Sequence, residues 1–231
     1  MLQIIDLVKN YGEYQALKGL NLMVEKGEVF CLLGQNGAGK TTTINLSLGF
    51  LEPSSGKVLI DGVEVAKEPL TARKKIAYIP EVVLLYGSLT ALENLDYFSK
   101  LGGSKYSRQE LSTYLSDANL QADAHDKRVG SFSKGMRQKV GIAIALAKHA
   151  DVILMDEPTS GLDPRATEEF SRIVRQLGDE GRSVLIATHD IFNAVQIATR
   201  IGIMKEGKLV EIVEAGSISP EALQSLYLET I

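Results

Sequence analysis

Cysteine is nearly missing from this chain: Cys31 is the one thiol in 231 residues. A single cysteine rules out an internal disulfide framework and fits a reducing compartment. Within the apolar run "VFCLLG" it reads as a small core residue. Dense blocks of Lys and Arg are missing too. The 25 Lys and Arg are outnumbered by 29 Asp and Glu, for a net charge of −4, which gives no support to a nucleic-acid partner. No apolar run approaches the ~20 residues that a membrane-spanning helix needs. The N-terminal "MLQIIDLVKNYGEY" has no basic segment leading into an apolar one, so no secretory signal is read there. Internal repeats, low-complexity tracts and linkers are lacking as well. These absences predict a cytoplasmic protein, soluble by itself, that can still dock onto a membrane protein.

What is present is an ample apolar supply, 45% of residues, in a length that suits one core with lobes attached. Short β-rich runs, "VFCLLG", "IAYIP", "DVILMDEP", "RSVLIATH" and "RIGIMKEG", mostly lack polar alternation. They read as strands buried on both faces of a mainly parallel sheet. Between them lie helical stretches. "KGMRQKVGIAIALAKHA" starts just after Ser133. "PRATEEFSRIVRQLGDEG" takes Asp163 as its N-cap and Pro164 at its first position. "DIFNAVQIATR" is a third. Strands alternating with helices predict an α/β fold. Two regions break the rhythm. Residues 1–30 and 56–66 read as an antiparallel β subdomain, with glycines at the turns. Residues 83–139 read as an inserted helical lobe, which leaves 31–55, 67–82 and 140–231 as the core. A hairpin is expected about Gly207, and a short helix over the tail "SPEALQSLYLETI".

Chemistry concentrates first in "GQNGAGKT", Gly34 to Thr41, which fits G-x-x-x-x-G-K-[ST] between a strand and the helical "TTTINLSLGF". A phosphate chain needs backbone N–H groups pointed inward at close range. Side chains would block that approach, so glycine is favoured along the cradle formed by Gly34 and Asn36–Gly39, and glycine also reaches positive φ. A helix N-terminus adds favourable potential. Lys40 then neutralises the β- and γ-phosphates of a nucleoside triphosphate, and the Thr41 hydroxyl, with Thr42 beside it, reaches Mg²⁺ and phosphate. The bland alternative is a glycine-rich strand-to-helix turn.

The second concentration is "DVILMDEP". Asp156 and Glu157 stand at the end of a buried strand, where open α/β sheets hold their ligands. Asp156 fits the carboxylate that holds Mg²⁺, and Glu157 fits the general base for an attacking water. The competing reading is two acids on a strand end that reaches solvent. His189, in "IATHD", ends another apolar strand, where it can contact the γ-phosphate; His125 and His149 read as structural.

The ordered set "GQNGAGKT", "SFSKGMRQ", "VILMDEP", "SGLD" and "ATHD" resembles the nucleotide-binding subunit of ATP-binding cassette (ABC) transporters over essentially the whole chain. The resemblance implies a P-loop NTPase core of RecA-like type. It also implies an ATPase whose two subunits, identical or related, sandwich two ATP molecules head to tail. Each site then takes its phosphate loop from one chain and its signature segment from the other. The signature here is "FSKGM". Ser133 and Gly135 match the common Leu-Ser-Gly-Gly-Gln, while Lys134 and Met136 replace its first glycine and its glutamine. Tyr11 matches the aromatic that stacks on adenine, with Tyr14 as rival. Asp163 resembles the residue linking the two sites. Where the family usually has a Mg²⁺-contacting glutamine, this chain has Glu81. Glu81 and "KGM" together resemble the bacterial exporters of drugs, lipids, polysaccharides or ions.

The resemblance further implies a membrane-spanning permease partner and a peripheral location on the cytoplasmic face of the membrane. Part of the run Val82–Tyr86 is expected to form an exposed groove that receives a helix of that partner, unless the run packs inside the lobe. Two rival functions are weighed. A soluble cassette ATPase acting on ribosomes or nucleic acid would be expected to carry a second cassette, a coiled-coil insertion or zinc cysteines. A regulatory module without turnover is opposed by the complete set Lys40, Asp156, Glu157 and His189.

Overall fold

The computed structural model describes residues 1–230, so Ile231 of the expected tail helix lies outside the described residues. Strands β1 (Leu2–Tyr11) and β2 (Tyr14–Val24) form an antiparallel hairpin turned at Gly12, whose φ of +59° suits glycine. Strand β3 (Val29–Leu33) then leaves that layer. The antiparallel region therefore stops at Val24 rather than at residue 30, because Val29 and Phe30 already pair in parallel with Val184 and Leu185. The phosphate-loop segment leads into α1 (Lys40–Ser47). Strands β4 (Ser55–Ile60) and β5 (Val63–Glu64) return to complete a four-stranded sheet of order β2-β1-β4-β5.

Helix α2 (Pro69–Lys74) precedes β6 (Ile76–Ile79). The lobe follows, with α3 (Ala91–Leu101) and α4 (Arg108–Asp117) each closed by a reciprocal capping box, Thr90 with Glu93 and Ser107 with Glu110. Helix α5 (Lys134–Ala147) starts in the lobe with Ser133 as N-cap and continues into the core, so one rigid element crosses the expected boundary at 139/140. Then come β7 (Val152–Asp156), α6 (Pro164–Asp179) capped by Asp163, β8 (Ser183–Thr188) and α7 (Ile191–Ile197). The chain continues through β9 (Arg200–Lys205), β10 (Lys208–Glu214) and α8 (Pro220–Thr230).

The core sheet is six-stranded, in the order β10-β9-β3-β8-β7-β6. All neighbours are parallel except the β9–β10 hairpin about Gly207. Side chains alternate between its faces, and both faces are covered. Cys31, Leu33, Ile153, Met155 and Ile186 join the helices α3 to α8 on one side. Phe30, Leu32, Leu154, Leu185 and Met204 join α1 and the antiparallel sheet on the other. Double coverage is why these strands lack polar alternation. Each fully buried Leu, Ile or Val contributes about 1.5–3 kcal/mol, so this layer is the rigid floor of the molecule. The parallel strands β6, β7, β8 and β3 lie side by side and end at one edge, and the chain's suspected chemistry follows each of those ends.

Candidate active site

Along that edge the order of strands is the order of functions. The loop after β3 is the phosphate-loop segment, β8 ends before His189, β7 ends in Asp156 and Glu157, and β6 leads to Glu81. A cavity of about 300 Å³ opens there, lined by Tyr11, Asn36, Gly37, Gly39, Lys40, Thr41, Thr42, Glu81, Asp156 and Glu157. Gly34 and Ala38 are buried in the floor of the same loop. Tyr14, the rival of Tyr11, lines it as well, as do Ala16 and Gln35, to which the sequence motifs give no role. Tyr14 stands directly across the hairpin from Tyr11, so both tyrosines border the cavity. A larger hollow of about 590 Å³ flanks the loop toward Met204 and Glu206. It contains neither Lys40 nor the paired acids, and no chemistry is assigned to it.

The glycines of the loop divide by cause. A Cβ on Gly34 would lie 2.6 Å from the Met204 carbonyl oxygen, and one on Gly39 would lie 2.9 Å from the Ala16 carbonyl oxygen, at a φ of +107°. At those positions the protein's own backbone fills the space, which corrects the expectation that a ligand alone excludes the side chains. Gly37 is the reverse case. Nothing lies within 4 Å of its would-be Cβ, and its φ of +85° is the reason for glycine.

Lys40 is buried. Its ammonium donates to the Gly34 carbonyl at 2.5 Å and to the Gln35 carbonyl at 3.3 Å, and lies 3.6 Å from Glu157 Oε1. The other oxygen of Glu157 lies 2.9 Å from His189 Nδ1 and accepts from the His189 backbone N–H at 3.3 Å. Glu157 is thus bonded at one oxygen by the segment after β8, while the other, buried without a hydrogen-bond partner, faces the Lys40 ammonium. Its backbone φ is +44°, a conformation a non-glycine residue holds only at a cost.

Asp156 is buried beside it. Burial first, then the charges of Glu157 and Glu81, push its carboxyl above the usual range, against the opposing pull of the Thr41 hydroxyl and Lys40. Its Oδ1 is buried without a partner. A buried, unpartnered carboxylate oxygen beside a hydroxyl is a hard donor set, suited to a cation that takes one or two protein oxygens and completes its shell with phosphate and water. Mg²⁺ has that habit. No group of three or more His, Cys, Asp and Glu able to hold a metal by itself occurs among the described residues.

Ser133, Gly135 and Asp163 are not in the cavity lining. Ser133 and Asp163 stand exposed at the N-terminal ends of α5 and α6 and cap them, accepting from the backbone N–H of Met136 at 3.3 Å and of Ala166 at 2.9 Å. Gly135 lies where α5 and α6 meet; a Cβ there would be 3.3 Å from Ala166 Cβ. The apolar run after Glu81 is split. Val82, Leu84 and Tyr86 are exposed, while Val83 and Leu85 pack on the core.

The family model described as "ABC transporter" matches residues 17–160. The linearmycin resistance ATP-binding protein LnrL of Bacillus subtilis (strain 168) is 35% identical over 214 residues, covering 92% of this chain and 68% of that protein. The lantibiotic transport ATP-binding protein SrtF of Streptococcus pyogenes is 34% identical over 229 residues, covering 98% of this chain and 96% of that protein. Among solved structures, the dimeric structure of MJ0796, a bacterial ABC transporter cassette, aligns with a TM-score of 0.82 at 30% identity, over 93% of this chain and 99% of that one. A post-hydrolysis state of the same cassette, bound to ADP and Pi, aligns with a TM-score of 0.82 at 29% identity, over the same shares of the two chains.

Proposed function

Because the chain belongs to the ABC transporter family, as an ATP-binding, ATP-hydrolysing subunit, we propose which of its residues carry the reaction and what it drives. Adenine stacks against Tyr11. The phosphates lie along Gly34–Thr42, facing main-chain amides and the N-terminus of α1. Lys40 leaves its loop carbonyls to neutralise the β- and γ-phosphates. Thr41 and Asp156, with Glu81 at the rim, would hold Mg²⁺, which would supply positive charge to offset that of the phosphates. Glu157 takes the proton of the attacking water, and His189, already bonded to it, orients that carboxylate toward the γ-phosphate.

The observation that carries this reading is Glu157 itself, bonded to His189 at one oxygen, paired in charge with the buried Lys40 at the other, and in a costly backbone conformation. Ser133 is exposed at the N-terminus of α5, and both it and Gly135 lie outside that cavity, which supports their serving the γ-phosphate of a second chain. That chain is another copy or a related ATPase, with Asp163 linking the two sites. Closing and opening of the pair then drive a membrane-spanning permease, docked where Val82, Leu84 and Tyr86 are exposed beside the Tyr86–Tyr97–Phe98 aromatic cluster. The chain would sit on the cytoplasmic face of the membrane; no helix among the described residues is long and apolar enough to cross it. The relatives' roles in resistance and lantibiotic transport favour export, over action on ribosomes or nucleic acid.

The test is Glu157→Gln. MgATP binding is expected to persist, phosphate release to fall by about 10²–10⁴-fold, and an ATP-dependent dimer to accumulate in size-exclusion chromatography. Near-normal turnover would remove Glu157 from the base role.

A further inference from the structure

One polar side chain in the deep interior is used by nothing above. Gln138, on α5, is 1% exposed. Its Nε2 donates to the carbonyls of Pro80 at 3.3 Å, Glu81 at 3.1 Å and Pro158 at 3.1 Å. Three converging acceptors fix which way the amide points, since only its NH₂ end can face them. Its Oε1 is left buried without a partner. A Met or Leu would fill the same volume without that orphan, so the NH₂ group, not the packing, explains a glutamine here.

The acceptors lie on the two segments that carry the acids. Glu81 is bonded at its own carbonyl, and Pro158 directly follows Glu157. The same helix holds the Glu81 loop twice more. Lys134 Nζ lies 3.8 Å from Glu81 Oε1, and a Cβ on Gly141 would lie 3.1 Å from Val83, which marks how closely that loop approaches. Positions 134, 138 and 141 recur at helical spacing along one face. The loop after β6 therefore rides on α5, and the turn after β7 is tied to it by the same amide. One turn and a half earlier, about 7.5 Å along the axis at ~1.5 Å per residue, α5 begins at Ser133.

We propose that Gln138 is a positioning residue that couples the two ATP sites of the paired ATPase: an ATP gripped by Ser133 in one site sets α5, and through Gln138 sets Glu81 and Glu157 in the other. The proposal rests on the two-chain reading above. Gln138 touches neither nucleotide nor water. Its contribution is to make the placement of the acids depend on the signature helix of the same chain, whose tip serves the opposite site.

The test compares wild type with Gln138→Met, which keeps the volume and removes the amide, and with Gln138→Glu, which keeps the shape and turns an oxygen toward the carbonyls. ATP hydrolysis is followed against ATP concentration, together with nucleotide binding, circular dichroism and, in a Glu157→Gln background, ATP-dependent dimerisation. The expected result is a kcat about 10–100-fold lower, the scale of a displaced catalytic group, with nucleotide affinity unchanged within about twofold. The Hill coefficient is expected to fall from about 2 to about 1, while the Glu157→Gln background still dimerises. Should Gln138→Met lose its circular dichroism signal, Gln138→Glu carries the same expectations. Unchanged kcat and Hill coefficient in a folded variant would overturn the proposal, as would loss of dimerisation or a loss of affinity that matches the loss of rate. A wild type that hydrolyses ATP without cooperativity overturns this coupling alone. A wild type that neither hydrolyses ATP nor pairs overturns the underlying reading.

Discussion

The strand-end cavity and the tips of α5 and α6 hold their polar groups in opposite states. In the cavity, Lys40 and Asp156 are buried charges, oxygens of Asp156 and Glu157 lack hydrogen-bond partners, and Glu157 sits at positive φ. At the helix tips, Ser133 and Asp163 are exposed and already satisfied as caps. The first region leaves buried oxygens unpaired; the second is satisfied within its own helices. Under the proposed function the contrast has a reason: groups that perform chemistry are held in readiness at a cost to stability, whereas groups that would only recognise a phosphate brought by another chain can keep an ordinary structural job meanwhile.

Lys40→Ala breaks the cavity side of that contrast most severely. It removes the only buried ammonium lining the cavity and leaves Glu157 Oε1 without its ion-pair partner. MgATP affinity should fall at least ~100-fold, since a desolvated charge contact to phosphate is worth several kcal/mol, and phosphate release should drop to background. Titration calorimetry and a phosphate-release assay read the two effects.

The tip side is tested by two variants of one residue. Ser133→Asp keeps an N-cap acceptor, so the melting temperature should stay within about a degree. It also points a negative charge at a partner's γ-phosphate, and turnover should fall about 10²-fold. Ser133→Ala loses the cap, about 1 kcal/mol, or ~2–4 °C in a domain of this size, with the smaller loss of rate. If stability and rate fell together in both variants, Ser133 would be only a cap. A smaller effect separates the hairpin tyrosines. Tyr11→Ala should raise the KM for ATP about tenfold, as base–aromatic stacking contributes ~1–3 kcal/mol. Tyr14→Ala, whose hydroxyl instead points to the Gly37 carbonyl at 3.5 Å, should change it less than about twofold.

Most of the cavity was legible in the sequence because its parts are local. A glycine-rich turn between strand and helix, and two acids closing an apolar strand, each declare themselves within about ten residues. The core strands were legible for a similar reason, since burial on both faces removes polar alternation. What escaped depends on approach between distant segments. That Gly34 and Gly39 are required by Met204 and Ala16 is invisible until β9 and β2 are packed against the loop. Nothing in the sequence distinguishes Gln138 from the other polar residues of its helix, and only the convergence of two strand ends onto α5 does so. That part of the run Val82–Tyr86 faces out agrees with the sequence, but which part does so depends on packing, because Val83 and Leu85 must cover the core while their neighbours face out.

The smallest expected effect concerns the one direct link between the two regions' side chains. Glu81, at the cavity rim, and Lys134, at the α5 tip, are both departures from the family's common residues, and they lie 3.8 Å apart. Each is a partly exposed side chain, 51% and 31% respectively, so water and salt screen the pair. An exposed pair of this kind contributes about 0.2–1 kcal/mol. A double-mutant cycle of Glu81→Gln and Lys134→Gly, read by chemical denaturation, should therefore return a coupling in that range, and it should shrink in ~1 M salt, where the screening length is about 3 Å. Turnover of Glu81→Gln should remain within about threefold of wild type, because glutamine still offers an oxygen at the rim. A coupling above about 2 kcal/mol that survives high salt would mean that pairing of two chains buries this contact. The helix tips would then carry a desolvated charge of their own, and the contrast between the two regions would narrow.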